Sequence, residues 1–557
     1  MSNFPTRVLI GLATVLTLSS CASRKGKIDT SKLNFNQQSQ FDQVYFKAST
    51  QKVLGNYTEA ARLFGDALKI DPKSHAAMYQ LGNINMAVSG FHDAVYWTEK
   101  AVLGNPNYNY WYAGQLAQAY SKVGAYEKSA KIFEIMIEEE PDRRLNYQEV
   151  SKQYINAQDF KKSIKWLEQL VARFGIDEES ARLLEGLNYE IGKNKEAIAW
   201  MQKLSDSDPE SVRFKGLLAE SFIRDGQVSV AKSLYNDILK SEPNNGYAFF
   251  GLSDIYKRAN QEDSSFYYLN KGFEDITVPI ELKIKVVGSF FSFIRRDEKM
   301  KEKALILTEK LIEVHAKEEK AHLVRSDVLH ASGAVDQARN HLVIAADINP
   351  ADIGIWKKLL GLDDELGNNM WLLQDSKKAL SFFPNQPFLY IINSFANYAE
   401  KDYETAISVA EEGLDIALLR NDRTVLLVTV ADASYELGLY EKAYETYDEV
   451  LEMDPANDGA MNNYAYYLAE QNTRLDDALE MINTALKANP NRPTYLDTKG
   501  WVLYQQGKYE DALSVLEKAY NHFPNDEEVV GHYIACLRKL NREEEAKKVE
   551  EGLKKVN

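Results

Sequence analysis

The sequence predicts an all-α protein, built as a right-handed superhelical solenoid of about fourteen helix-turn-helix repeats. Three observations carry this prediction. Prolines recur at a spacing close to 34 residues, small residues recur at fixed positions between them, and helical apolar spacing runs through nearly the whole chain. A chain of 557 residues is too long for one hydrophobic core, so it must form several domains or a repeat array.

Proline spacing is the first of these observations. The prolines that follow helical stretches lie 34, 35, 68, 34, 36, 71, 34, 71, 35 and 34 residues apart. The long spacings are close to two steps with one proline missing. A proline ends a helix because its ring cannot continue the hydrogen-bonded turn. These prolines are Pro72, Pro106, Pro141, Pro209, Pro243, Pro279, Pro350, Pro384, Pro455, Pro490 and Pro524.

Small residues supply the second observation, most clearly in the unit 493–524. Two helical patterns, over 495–506 and 509–521, flank a turn at Gly507, and Gly500 and Ala512 are small residues within them. Small side chains let paired helices approach closely, and a glycine after the first helix supplies a left-handed turn. A period of 34 residues with paired helices is the signature of the tetratricopeptide repeat (TPR), which this chain therefore resembles.

The amino terminus resembles a bacterial lipoprotein signal. The apolar run over 8–18 is about 11 residues long, too short for the ~20 that span a membrane, so residues 1–20 are predicted to be a cleavable signal peptide. Residues 18–21, Leu-Ser-Ser-Cys, resemble the lipoprotein box. That resemblance implies cleavage before Cys21 and lipidation of its thiol. The alternative is an ordinary signal peptide that contains a cysteine.

The residues after Cys21 indicate a location. Ala22 stands where an aspartate would retain a lipoprotein at the inner membrane, and Arg24 and Lys25 depart from the acidic tract of surface-exported lipoproteins. By resemblance, the protein is expected to be lipid-anchored in the outer membrane, on its periplasmic face. Residues 21–40 are polar and are predicted to form a lipidated tether.

The remaining chain is predicted to divide into three parts. Residues 41–279 form an N-terminal TPR array, and residues 424–557 form a C-terminal TPR array that ends in a polar capping helix. Residues 280–423 are predicted to hold divergent TPR-like repeats, because proline spacing lapses while helical apolar spacing persists; a hinge is the alternative. With the motif NNYAYYL at 462–468 and Gly500-Trp501, the chain resembles the TPR lipoproteins of the Bacteroidota.

Composition and motifs exclude several functions. The formal net charge of −16 argues against a nucleic-acid surface, which needs clustered lysines and arginines. The cysteines, Cys21 and Cys536, cannot form a disulfide framework, and no phosphate loop, nucleophile elbow or zinc motif is present. We therefore expect no catalytic site, no metal or other cofactor and no small-molecule substrate. His315, His322, His330 and His341 lack the spacing of metal ligands on one helix face.

Candidate binding residues come from the resemblance. In TPR arrays generally, fixed positions of the first helix line a concave groove, and here they hold aromatic and amide side chains suited to an extended peptide or helix. The alternative is that several of these rings pack between neighbouring layers. No full carboxylate clamp of the chaperone-binding type is present. The candidates are Tyr79, Asn83, Trp111, Tyr247, Phe250, Asn462, Tyr466, Asp497, Trp501 and Tyr504.

The resemblance implies binding of protein partners. The leading hypothesis is an outer-membrane-anchored, periplasm-facing scaffold or adaptor that binds other envelope proteins or peptides during envelope assembly or secretion. One alternative is a structural subunit of a gliding or type IX secretion complex. Another is a glycan-binding or enzyme-targeting subunit.

Overall fold

The computed structural model describes residues 33–105 and 107–553. The predicted signal peptide and Cys21 lie outside this range, as do residues 21–32 of the predicted tether. Residues 35–40 of that tether belong instead to the first helix, because the Asn34 side chain accepts a hydrogen bond from the Gln37 amide and the Gln37 side chain accepts one from the Asn34 amide. The described chain forms two compact units, which divide between Gly272 and Phe273.

The first unit consists of helix pairs. Each pair places a first and a second helix side by side, joined by a short turn. The helices are α1 (Phe35–Val53), α2 (Tyr57–Ile70), α3 (His75–Ala87), α4 (Phe91–Gly104), α5 (Tyr110–Lys122), α6 (Tyr126–Glu139), α7 (Arg144–Asn156), α8 (Phe160–Phe174), α9 (Glu178–Glu190), α10 (Asn194–Ser207), α11 (Val212–Arg224), α12 (Val228–Ser241), α13 (Gly246–Arg258) and α14 (Glu262–Phe273).

The second unit begins with an irregular segment and continues with helix pairs. Its helices are α15 (Ile280–Gly288), α16 (Phe291–Ile294), α17 (Glu298–His315), α18 (Glu319–Ala331), α19 (Val335–Ile348), α20 (Ile353–Glu365), α21 (Asn369–Phe382), α22 (Pro387–Ala399), α23 (Tyr403–Ile416), α24 (Arg420–Glu436), α25 (Tyr440–Met453), α26 (Asp458–Glu470), α27 (Leu475–Ala488), α28 (Pro493–Gln505), α29 (Tyr509–His522), α30 (Glu527–Lys539) and α31 (Glu543–Leu553).

The predicted all-α repeat fold is confirmed. No strand occurs in residues 33–105 and 107–553, and second helices end two residues before Pro72, Pro141 and Pro524, as the proline spacing predicts. In the described part of the chain no helix combines the length and the apolar character needed to cross a bilayer.

A left-handed residue follows the first helix in every regular pair. At Gly507, φ is +76°, and the Lys508 amide donates back to the Leu503 carbonyl at 3.0 Å, which closes helix α28. Glycine holds this place in eight pairs. The other six use Ser89, Gln158, Asn260, Lys401, Asn472 and Asn541 at φ between 48° and 64°. Glycine has no Cβ to clash with the backbone in this conformation, whereas the other residues adopt it at an energetic cost.

Small residues let the paired helices meet. An ideal Cβ on Gly500 of α28 would lie 2.4 Å from Cγ of Leu516 in α29, so only glycine fits there. Ala512 and Ala519 of α29 are fully buried. First helices of neighbouring pairs also contact one another, for example α26 with α28 and α28 with α30. Because of this packing, first-helix side chains lie beside those of the next pair.

The segment 280–315 departs from the repeat. In place of one first helix it has α15 and α16, which break at Gly288 and Ser289, both poor helix formers. The buried Lys283 of α15 donates to the Asp275 carbonyl at 2.7 Å and lies 3.0 Å from Nε2 of His315 in α17. Burial lowers the pKa of Lys283 to about 8. The predicted boundaries 279/280 and 423/424 remain predictions.

Candidate functional site

Four first helices form one surface at the carboxyl end of the second unit. Helices α24, α26, α28 and α30 follow one another, and each contacts the next or is joined to it through shared side chains. We call the surface of these four helices the C-terminal face. It carries five predicted binding residues: Asn462 and Tyr466 on α26, and Asp497, Trp501 and Tyr504 on α28.

Trp501 joins three consecutive first helices. Its ring stacks on Tyr504 of the same helix, with centroids 4.8 Å apart, and on His532 of α30, with centroids 4.1 Å apart. Its indole Nε1 donates to Oε1 of Glu470 on α26 at 2.5 Å. Trp501 is half-buried. The ring therefore packs between layers, as the alternative in the sequence analysis proposed, while part of it stays on the surface.

Asp497 and His532 form a buried polar pair beneath this surface. Oδ2 of Asp497 lies 2.9 Å from Nδ1 of His532, and each residue is more than nine-tenths buried. The other carboxylate oxygen, Oδ1, is buried without a hydrogen-bond partner. A buried polar atom of this kind carries a desolvation cost, so His532 is the contact that makes burial of Asp497 tolerable.

Tyr466 reaches across two layers. Its hydroxyl donates to Oε1 of Glu528 on α30, and its ring lies 6.3 Å from that of His532. Burial, followed by the hydrogen bond to Glu528, raises the pKa of Tyr466 well above its usual range, so the phenol stays protonated. Asn462 is half-buried, and its Oδ1 has no hydrogen-bond partner.

Asp432 occupies the equivalent place on α24, and sequence reasoning missed it. Its carboxylate accepts a hydrogen bond from the Tyr447 hydroxyl, and the polar side chains of Tyr467 and Asn463 also face it. Burial raises the pKa of Asp432 to about 6, and these three side chains oppose the rise. Asn463 and Tyr467 directly follow the predicted Asn462 and Tyr466 in α26.

The predicted residues of the first unit lie apart from one another. Tyr79 stacks on Tyr112 with centroids 4.7 Å apart, and Asn83 is half-buried one turn further along α3. Trp111, near the start of α5, is 70% exposed, and Tyr247, near the start of α13, is 50% exposed. Phe250 is half-buried, and its ring fills the space beside Gly272. Tyr79 and Asn83 on α3, and Tyr247 and Phe250 on α13, are spaced so that each pair lies on one face of its helix, whereas Trp111 stands alone on α5.

Three side chains of the C-terminal face were missed by reasoning from helix phase. Glu470, Glu528 and His532 each contact a predicted residue that is 31, 62 or 35 positions away. Helix phase alone does not show such contacts. Alignment of the first helices by their starts would have placed Glu528 and His532 beside α28, because each pair advances the chain by one layer.

Replacing His532 by Ala is expected to lower the free energy of unfolding by about 2–3 kcal/mol, because the buried Asp497 would lose its hydrogen-bond partner. Urea denaturation of the whole protein measures this change. The double variant His532→Ala, Asp497→Asn is the control, since a neutral amide costs less to bury, and it should recover part of the loss. An unchanged unfolding midpoint for His532→Ala would show that the pair contributes no stability.

The histidines that cluster in the sequence separate into different contacts. His322 donates from Nε2 to the Ala316 carbonyl at 3.0 Å, so its Nδ1 accepts from Nδ1 of His341, 3.0 Å away. Burial, with His322 nearby, lowers the pKa of His341 to about 4, and both rings are held in this packed contact. Across residues 33–105 and 107–553, no three His, Cys, Asp or Glu side chains are grouped as metal ligands would be.

Comparisons with known proteins agree with the repeat fold. Models of the tetratricopeptide repeat match residues 430–493, 468–527 and 503–555. A TPR repeat-containing protein of Pseudomonas aeruginosa is 36% identical over 149 residues, which are 26% of this chain and 24% of that protein. The chain thus spans about a quarter of that relative's length. The TPR repeat-containing protein YpiA of Bacillus subtilis is 23% identical over 376 residues, covering 67% of this chain and 86% of YpiA.

Among solved structures, a chain from the structure of Naa15/Naa10 bound to HypK-THB covers 92% of this chain and 94% of its own length. Its sequence identity is 15% and its TM-score is 0.40. The family matches fall on the helix pairs that build the C-terminal face. Residues 430–555 therefore contain tetratricopeptide repeats, and repeats of this kind suggest a scaffold for protein–protein interaction.

Proposed function

We propose that the protein is a lipid-anchored scaffold on the periplasmic face of the outer membrane, where its repeats bind other envelope proteins during assembly or secretion. The single observation that carries the binding role is the C-terminal face, where aromatic rings and carboxylates from successive first helices meet on one surface. Rings supply contact area at low entropic cost, and partly buried polar groups supply direction.

Anchoring would hold a bound partner close to the membrane. A partner held at the face of an array that is itself fixed to the membrane has a raised local concentration near the bilayer. The lipoprotein box at residues 18–21 supports the anchor, and the polar stretch that follows Cys21 supports a spacer between the lipid and the first helix. No chemical step is needed for this function.

A steric block on the C-terminal face tests the binding role. Gly531 of α30 is exposed and has open space around its Cβ position, and it occupies the place on α30 that Asp497 holds on α28. The variant Gly531→Trp is expected to reduce severalfold the envelope proteins recovered with the tagged full-length chain. Gly552→Trp, in the last helix and equally open, is the matched control and should leave recovery unchanged.

The two forms of the proposal differ in the recovered set. One stable partner in fixed proportion supports a structural subunit, of a gliding or type IX secretion complex for example. Many weakly held clients support an adaptor. Equal recovery of partners with Gly531→Trp and with the unaltered protein contradicts binding at this face.

Location has a separate test at the lipidation residue. Cys21→Ala removes the thiol to which a lipid would be attached, so the variant is expected to move from the membrane fraction to the soluble periplasmic fraction. Fractionation followed by immunodetection measures this. Full retention of Cys21→Ala with the membranes would show that the lipid at Cys21 is not the anchor.

A further inference from the structure

The C-terminal face carries carboxylates without cations to pair them. Glu436 ends α24, Glu470 ends α26, Asp497 lies in α28 and Glu528 begins α30. Glu470 accepts from the Trp501 indole, Asp497 faces His532, and Glu528 accepts from the Tyr466 hydroxyl. Within the described chain, no lysine or arginine forms an ion pair with any of these four carboxylates.

Elsewhere in the second unit, two carboxylates of this kind pair with a lysine one layer on. Glu411 of α23 pairs with Lys442 of α25 at 2.9 Å, and Asp327 of α18 pairs with Lys358 of α20 at 2.6 Å. The same arrangement on the C-terminal face would need a lysine or arginine on the neighbouring first helix. The donors to these carboxylates are instead Tyr466, Trp501 and His532. The face therefore keeps an excess of negative charge where successive first helices meet.

Unsatisfied atoms on this face point the same way. Oδ1 of Asp497 and Oδ1 of Asn462 are both buried without a hydrogen-bond partner, and both are acceptors. Asp497 is only 6% exposed, so this oxygen is not satisfied by bulk water. Acceptors without donors, beside carboxylates that have no lysine or arginine partner, match a ligand that brings donors and positive charge.

We propose that the C-terminal face binds an extended, positively charged segment of a partner protein. This inference rests on the proposed binding function and adds the chemistry of the partner. Lysine or arginine side chains of the segment pair with Glu436, Glu470 and Glu528, while its apolar side chains contact the exposed parts of Tyr466 and Trp501. Charge complementarity of this kind sets partner choice and association rate more than it sets raw affinity.

Peptide titration against the full-length chain tests this chemistry. One labelled peptide has three repeats of Lys-Ser-Leu-Ser, and the second has glutamate in place of each lysine. Fluorescence anisotropy is expected to show binding of the lysine peptide only, with affinity that falls as salt is added. Equal binding of the two peptides, or binding of neither, overturns the inference.

Matched variants locate the site of that binding. Glu470→Gln with Glu528→Gln keeps both hydrogen bonds to Trp501 and Tyr466 but removes two charges, and it should weaken lysine-peptide binding about tenfold at low salt. Glu449→Gln with Glu480→Gln removes two exposed charges from the second helices α25 and α27 and should change nothing. Equal effects of the two double variants would mean that net charge alone attracts the peptide, which overturns the site.

Failure here is distinguishable from failure of the proposed function. If Gly531→Trp abolishes partner recovery and the lysine peptide does not bind, the face binds proteins but the predicted charge of the partner is wrong. If Gly531→Trp has no effect on partner recovery, the binding function at this face is itself wrong.

Discussion

Replacing Arg339 by Met is expected to lower the free energy of unfolding by about 3–5 kcal/mol. The Arg339 guanidinium binds the carboxylates of Asp363 and Asp375, and it stacks over the Trp371 ring at 4.2 Å. Asp363 is fully buried, so removal of the cation would leave two carboxylates together in a poorly hydrated site. The shift in the urea unfolding midpoint of the full chain measures the loss.

The control for this prediction removes the charges as well as the cation. Arg339→Met combined with Asp363→Asn and Asp375→Asn should recover most of the lost stability, because no buried charge remains. The stability of Arg339→Lys should lie between those of Arg339→Met and the unaltered protein, because a lysine ammonium cannot hydrogen-bond both carboxylates in the way that a planar guanidinium does. A loss for Arg339→Met below about 1 kcal/mol would contradict the role of this triad.

The stability that Arg339→Met loses should depend on pH. Burial raises the pKa of Asp363 above its usual range even with Arg339 present, and the charge of Asp375 adds to the rise. A carboxyl group whose pKa is higher in the folded state favours folding fully below its unfolded pKa, near 3.8, and loses that contribution as pH rises through the folded pKa. The loss in free energy of unfolding caused by Arg339→Met is therefore expected to grow from acidic to neutral pH. A loss in free energy of unfolding that becomes smaller over this range would contradict the predicted direction.

Gly251→Ala is expected to destabilise the first unit by about 1–3 kcal/mol, although alanine normally favours a helix. An ideal Cβ on Gly251 of α13 would lie 2.1 Å from Cζ of Tyr235 in α12, and that ring is buried. The ring would have to move within a packed core. Thermal unfolding followed by circular dichroism measures the effect.

Gly186→Ala is the matched control for this change. Gly186 lies inside α9, and its Cβ position has no neighbouring atom within 4 Å. Alanine there should leave stability unchanged or raise it by up to about 1 kcal/mol. If Gly251→Ala is as stable as Gly186→Ala, close approach of α12 and α13 is not what requires glycine at position 251.

Much of the fold could be predicted from the sequence because the repeat encodes local rules. Proline at the end of the second helix, a small residue at Gly500 and buried alanines at 512 and 519 each follow from chain geometry. The positions of Gln158 and Lys401 in left-handed turns could not be predicted this way. Their side chains bear a conformational cost, and only the packing of the helices on either side imposes it.

The candidate site was predictable in part. Groove positions of the first helix selected Tyr466, Asp497 and Trp501, and the structure places Tyr466 and Trp501 on one surface with Asp497 buried beneath them. Their partners, Glu528 and His532, lie one or two layers away, and helix phase does not reveal which residue faces which across layers. The turn after α26 is one residue longer than the turn after α28. Counting back a fixed number of residues from the proline of each repeat therefore assigns the groove positions of α26 one residue out of place.

Photo-crosslinking from the C-terminal face in cells tests most directly whether this face binds a partner protein. A photoreactive phenylalanine analogue is placed at Thr494 or at Gly531, which are exposed on α28 and α30, or at Glu480, which is exposed on the second helix α27. Thr494 and Gly531 are expected to capture the same envelope protein, and Glu480 is not. The analogue is also placed at Trp111 in the first unit, and capture of an envelope protein from Trp111 or Glu480, but from neither Thr494 nor Gly531, would contradict binding at the C-terminal face.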